Sequence, residues 1–167
     1  MQRIVIIGSG GAGKSTLARQ LGEKLRLPVV HLDQLFWKPG WVEVTREEFD
    51  EKLALELAKP AWIMDGNFNR TIPLRLERCD TVIYLDFHRV TCLLGVLKRI
   101  ITSYGKTRPD MAEGCPERFD LDFLKWVWNF NQDGKRERYY RLLNEAKDVQ
   151  TIVLKNRRMV KRFLNSI

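Results

Sequence analysis

An apolar run, Ile4-Val5-Ile6-Ile7, passes directly into Gly8-Ser9-Gly10-Gly11-Ala12-Gly13-Lys14-Ser15, and a stretch with helical periodicity follows. Strand, glycine-rich loop and helix in this order fit the phosphate-loop pattern Gly-x-x-x-x-Gly-Lys-Ser without a mismatch. Glycines at 8, 10, 11 and 13 are expected to let the backbone take left-handed conformations and turn amide N–H groups inward around phosphate oxygens. In this reading the residues from Gly8 to Thr16 cradle ATP, Lys14 reaches the β and γ phosphates, and Ser15 offers its hydroxyl to Mg²⁺. The helix that starts there aims its positive end at the same anion. A glycine-rich turn with a chance lysine is the alternative, and the order of the flanking elements counts against it.

The 167 residues, 44% of them hydrophobic, suffice for one domain with a full core, so 1–167 is read as a single unit. No apolar run approaches the roughly 20 residues of a membrane helix. The N-terminus enters a strand without the basic-then-apolar layout of a signal peptide, so a cytoplasmic protein with no membrane partner is expected. Cys79, Cys92 and Cys115 are odd in number and too widely spaced for a Cys-x-x-Cys site, which points to reduced, packed thiols. Residues 1–88 hold 12 Lys/Arg and 12 Asp/Glu, whereas residues 89–167 hold 17 and 9, so the net charge of +8 arises entirely in the second half. That asymmetry suits an anionic ligand, taken either by a phosphate-clamping lid or by a nucleic-acid surface.

Further short apolar runs at 28–32, 61–64, 81–85 and 151–154 read as strands, with helical periodicity between them. Thr45 and Glu48 form a capping box, with Val44 and Phe49 as its hydrophobic staple. Five strands alternating with helices predict a three-layer α/β fold around a parallel sheet with right-handed crossovers. The one long irregular stretch, 104–119, carries Lys106, Arg108 and Arg118 among glycines and prolines, and is read as a mobile lid; a solvated surface loop is the alternative.

Ligands of open α/β sheets sit outside the carboxyl ends of the strands. Residues past the predicted strands there are Asp33, Asp65 to Arg70, Asp86, and Lys155-Asn156-Arg157. Asp65 is the first choice for a carboxylate that holds Mg²⁺ through water, Asp86 the second; an N-cap or a strand-end ion pair is the competing role for each. Asp33 is positioned to orient or deprotonate an acceptor hydroxyl, within an acceptor region spanning 33–60. Trp37 with its aromatic neighbours offers a flat wall for a base or sugar, unless these rings are core. Arg70 suits bidentate capture of an acceptor phosphate or carboxylate, with a surface salt bridge as its other role. Asn156 and Arg157 are read as further ATP contacts, and Arg99 and Arg108 as cations around the transferring group. His31 and His88 stand alone and read as structural.

The phosphate loop, Asp65-Gly66-Asn67-Phe68-Asn69-Arg70, the basic 104–119 segment and the closing strand with Asn156 resemble the adenylate-kinase-like superfamily of small P-loop kinases, which includes shikimate and gluconate kinases. A closer resemblance, over nearly the whole chain, is to the bacterial DNA topology modulation protein family. It is carried by the run from Val30 to Trp41, by Asp65-Gly66-Asn67, and by Gly105 to Met111 through Gly114 to Glu117. The resemblance implies a P-loop NTPase fold with a five-stranded parallel sheet, ATP and Mg²⁺ binding, and a kinase-like site. This chain departs from the adenylate-kinase Asp-Gly-Phe-Pro-Arg pattern by inserting Asn67 and placing Asn69 where the proline stands, so Arg70 maps only across an insertion. The threonine-glycine pattern for AMP is also missing after the second strand, which disfavours AMP as acceptor.

The expected activity is transfer of the ATP γ-phosphate to a small hydroxyl- or phosphate-bearing acceptor, nucleoside- or nucleotide-like. The alternative is a nucleotide-gated regulator of DNA topology that binds nucleic acid through its basic C-terminal half, with residues 135–141 as the contact surface. That stretch equally fits one solvated helix face with core tyrosines, and no helix-turn-helix, zinc finger or topoisomerase tyrosine motif accompanies it.

Overall fold

The computed structural model describes residues 1–132 and 134–167. From the N-terminus, β1 (Arg3–Gly8) leads into α1 (Lys14–Leu25), β2 (Val29–His31) and a short α2 (Leu32–Phe36). A small hairpin of β3 (Trp37–Lys38) and β4 (Val42–Glu43) precedes α3 (Arg46–Leu57) and β5 (Trp62–Asp65). A 3₁₀ turn at Asn69–Thr71 opens α4 (Ile72–Arg78), followed by β6 (Thr81–Leu85), α5 (Arg89–Ser103), α6 (Leu121–Trp128), α7 (Lys135–Glu145), β7 (Gln150–Leu154) and α8 (Arg157–Asn165).

Five strands form one sheet in the order β2-β5-β1-β6-β7, every neighbouring pair parallel. A parallel sheet covered on both faces needs strands that are apolar on both sides, and β1 meets this by sending alternate residues to two cores. Val5 and Ile7 join Met64, Val82 and Tyr84 against α3, α4 and α7, with Leu53, Leu76 and Tyr139 among the contacts. Ile4 and Ile6 join Ile63, Ile83 and Leu85 against α1 and α5, through Leu17, Leu21 and Val96. Each fully buried large side chain in these layers contributes about 1.5–3 kcal/mol of transfer free energy. The three-layer α/β architecture and the five strands therefore stand as the apolar runs predict, with strand ends moved by a residue or two.

Thr45 caps α3, its hydroxyl accepting from the Glu48 amide at 3.1 Å, and Val44 and Phe49 are both buried as the staple requires. The Glu48 carboxylate does not complete the reciprocal half of the box. It accepts instead from Lys38 at 2.7 Å and Lys52 at 2.9 Å, so the cap also ties the hairpin to α3.

Residues 104–119 form no helix, but the segment is tethered to residues 34–41. The Gly40 amide donates to the Gly114 carbonyl at 2.9 Å, Gln34 Nε2 to the Pro109 carbonyl at 2.7 Å and Trp41 Nε1 to the Pro116 carbonyl at 3.2 Å. The α2 helix and the β3–β4 hairpin, which helical or alternating periodicity does not announce, exist at the base of this strap.

Candidate active site

The sheet register sets the site. Ile6 lies opposite Asp65, Gly8 opposite Leu85, and His31 opposite Asp65, so the carboxyl ends of β1, β2, β5 and β6 share one edge. An open cleft of about 960 Å³ runs along this edge, lined by Lys14, Ser15, Asp33, Arg99, Arg108 and Arg157 among others.

Within the loop, Gly8, Gly11 and Gly13 take positive φ, whereas Gly10 does not. Gly10 is required for space rather than conformation: a Cβ there would stand 2.8 Å from the Phe123 ring and 2.9 Å from Val127 of α6. At Gly11 a Cβ would meet the Cys92 carbonyl oxygen at 2.0 Å, and a Cβ on Gly95 would meet the Gly11 carbonyl oxygen at 2.2 Å. Helix α5 therefore crosses the loop backbone at glycine-to-glycine distance, a packing role for Gly95 that its place inside a helical pattern does not reveal.

Lys14 Nζ donates to the Ser9 carbonyl at 3.0 Å. Burial pushes its pKa down, while the charges of Asp65 and Asp33 push the other way. Ser15 Oγ donates to Asp65 Oδ2 at 2.7 Å, which joins the first turn of α1 to the end of β5. Asp65 Oδ1 faces His31 Nδ1 in a short hydrogen bond, and both side chains are buried. Burial disfavours the His31 charge, but the hydrogen bond and charge of Asp65, with Asp110 beyond, outweigh it and raise the pKa. His31 is thus part of the Asp65 arrangement, a partnership visible only once β2 and β5 are known to pair in register. Asp86 is otherwise engaged: Arg136 grips it at 2.5–3.2 Å, and the Tyr140 hydroxyl donates to it at 2.8 Å. Of the two carboxylates weighed for the metal, Asp65 is the one joined to Ser15.

Asp33 sits in the second position of α2 rather than at a strand end, and lines the cleft. Its pKa is raised chiefly by burial, against the pull of Lys14. Arg99 and Arg108 reach the same cleft but arrive paired. Arg99 donates to Glu117 Oε1 at 3.0 Å, Arg108 NH1 donates to Asp110 Oδ2 at 2.7 Å, and Arg108 Nε lies 2.8 Å from Glu117 Oε2. Burial lowers the Arg99 pKa, and neighbouring Arg108 adds to that. Glu117 and Asp110, both buried, are the counter-charges that the basic composition of this segment hides.

The cleft does not gather every candidate. Arg70 lies outside its lining, held by a bidentate pair with Asp50 of α3 at 2.5 and 2.9 Å. Trp37 also lies outside, edge-on to Phe36 and Trp41 at 4.9 and 5.4 Å, and Phe36 itself packs against the core with Phe49 and Phe68. The Asn156 side chain accepts from the Met159 amide at 2.9 Å and caps α8. Arg157 does face the loop, with its NH2 3.5 Å from the Gly11 carbonyl and its guanidinium 5.8 Å from the Phe87 ring. In the basic α7 stretch Arg136 is spent on Asp86, and Tyr139 is buried. Among the described residues no helix is long and apolar enough to cross a membrane. The three cysteines are free and buried.

No protein-family model matches the chain, and no curated protein matches it. Solved structures do. A gluconokinase from Sinorhizobium meliloti 1021 is 14% identical over 99% of this chain and 92% of its own, with a TM-score of 0.57. Shikimate kinases from Bacteroides thetaiotaomicron and Aquifex aeolicus are 16% and 19% identical, cover 99% and 98% of this chain and 95% and 94% of their own, and give TM-scores of 0.53 and 0.51. At these identities the likeness establishes the architecture: the chain has the fold of the small P-loop kinases.

Proposed function

We propose that the protein is an ATP-dependent phosphotransferase that passes the γ-phosphate to a small hydroxyl- or phosphate-bearing acceptor. The observation that carries this reading is the Ser15–Asp65 hydrogen bond beneath a cleft that also holds Lys14 and Asp33. A phosphate loop alone would bind nucleotide; a buried carboxylate on the loop's serine, with a second carboxylate in the same cleft, adds the parts that transfer needs. In this reading loop amides and Lys14 bind the phosphates, and Lys14 exchanges its Ser9 carbonyl for phosphate oxygens. Asp33 accepts the proton of the acceptor hydroxyl, and its raised pKa brings it nearer to that role. Arg99 and Arg108 are held at the cleft wall by Glu117 and Asp110, pre-positioned to face the transferring group.

Mg²⁺ fits the donors present, with the Ser15 hydroxyl as direct ligand and Asp65 through water, and would neutralise charge building on the phosphates. Among the described residues no group of three His, Cys, Asp or Glu side chains could hold a metal ion. Membership of the DNA topology modulation family remains a resemblance, and in the nucleic-acid reading one of the four cations of residues 135–141, Arg136, is paired with Asp86. A screen of nucleosides, nucleotides and sugars for acceptor-dependent ADP release tests the proposal. Stimulation by one class names the acceptor, and selective DNA binding in physiological salt without any stimulation would favour the regulator.

A further inference from the structure

Arg75 of α4 has no exposed surface and, among the described residues, no carboxylate partner. Burying a guanidinium is costly unless its donors are met, and here backbone carbonyls of one turn meet them. NH1 donates to the Gly66 carbonyl at 2.9 Å, NH2 bonds the Asn67 carbonyl and reaches the Phe68 carbonyl at 3.5 Å, and Nε donates to the Thr71 carbonyl at 3.4 Å. Desolvation lowers its pKa to about 10.

The turn it grips, Gly66 to Phe68, leaves Asp65 and runs along the cleft. Gly66 takes a φ of 136°, open to glycine, and Phe68 a φ of 37°, a left-handed conformation that a bulky side chain rarely adopts. Between them Asn67 Oδ1 accepts from the Gly8 amide at 3.0 Å, the point where β1 becomes the phosphate loop. A continuous line of contacts therefore runs from Arg75 through the 66–68 backbone to Asn67 and on to Gly8, with Asp65 and its bond to Ser15 immediately upstream.

We propose that Arg75 is a positioning residue, which by holding the Gly66 and Asn67 carbonyls sets Asn67 on Gly8 and thereby sets the nucleotide affinity of a loop it does not touch. The sequence gives this arginine no distinction among its neighbours, because Arg70 and Arg78 flank it in the same basic stretch. A planar fork with five donors fits a ring of carbonyls, and an ammonium does not.

The inference rests on the phosphate-site reading, and calorimetric titration with ATP and Mg²⁺ separates the two. Wild type, Arg75→Lys, Asn67→Ala and the double variant are titrated, with folding checked by circular dichroism. Each single variant should bind about tenfold more weakly, and the double variant hardly more weakly than either, since both break one linkage. Losses that multiply in the double variant, or a folded Arg75→Lys with wild-type affinity and only a lower Tm, would overturn the inference. Where Arg75→Lys fails to fold, Asn67→Ala decides by itself, wild-type affinity refuting the linkage and the tenfold loss supporting it. Absence of binding by the wild type would bring down the phosphate-site reading itself.

Discussion

Ser15 Oγ and Asp65 Oδ2 stand 2.7 Å apart, so the loop's hydroxyl and the carboxylate at the end of β5 point at one spot. If that spot receives Mg²⁺, Asp65→Asn should raise the Mg²⁺ concentration for half-maximal activity by about 10–100-fold, the usual effect of losing an outer metal partner. Asp86→Asn should leave the Mg²⁺ requirement alone and lower stability instead, because it removes the charge that pairs with Arg136 and one of the two oxygens that Arg136 and Tyr140 share. Equal Mg²⁺ curves for Asp65→Asn and wild type would remove Asp65 from the metal site.

Asp33 carries a prediction in two parts. Its pKa lies above the ordinary 3.8, chiefly through burial, so between the two values the folded chain binds more protons than the unfolded one. Stability contributed by this group therefore falls as pH rises through that window, and the ionised carboxylate is a net cost at neutral pH. Asp33→Asn should be more stable than wild type at pH 7, with the advantage shrinking as pH falls toward the ordinary carboxylate value, while turnover drops at least about a hundredfold. Denaturant titrations at the two pH values, with acceptor kinetics, check both parts. A less stable Asp33→Asn at pH 7 would mean that the carboxylate serves the fold.

Much of this was legible from residue order. Apolar runs placed the five strands of the main sheet, because strands buried on both faces leave little room for polar residues, and the loop motif placed the glycine-rich turn between β1 and α1. The rest of the cleft edge was less legible for a physical reason: it depends on who pairs with whom. His31 and Asp65 are 34 residues apart and meet only through the β2–β5 register. Arg70 and Arg75 read alike in sequence, yet one is fixed by Asp50 at the surface and the other is buried among carbonyls. Glycine at position 10 was legible as a requirement, but the cause is the α6 rings pressing on it rather than a left-handed backbone.

Glu117 is buried between Arg99 and Arg108 at 3.0 and 2.8 Å, so Glu117→Gln leaves two cations short of a partner. Loss of a buried pair costs about 3 kcal/mol, seen as a lowered unfolding midpoint. Cleavage within 104–119 should also rise in limited proteolysis, and protection by ATP with acceptor should shrink. Unchanged stability and cleavage would make the strap independent of this cluster.

The basic helix α7 separates two kinds of cation. Arg136→Glu should destabilise the fold by about 2 kcal/mol, less than a wholly buried pair because Arg136 is half exposed while Asp86 is not. Lys135→Glu with Arg138→Glu should leave both fold and phosphotransfer close to wild type. Binding of DNA should be weak and vanish near physiological salt, as screened phosphate contacts do. Selective, salt-resistant DNA binding lost in the Lys135/Arg138 variant would favour the regulator instead.

If the loop from Gly8 to Ser15 and Asp65 form the phosphate-transfer site, Lys14 is the residue whose loss transfer can least survive. ADP release from ATP in the presence of the stimulating acceptor is to be measured for wild type and for Lys14→Ala, with folding confirmed by circular dichroism. Lys14→Ala should fold with transfer abolished, since the lysine's charge acts mainly as the phosphoryl group moves. Near-wild-type transfer by that folded variant would contradict that assignment.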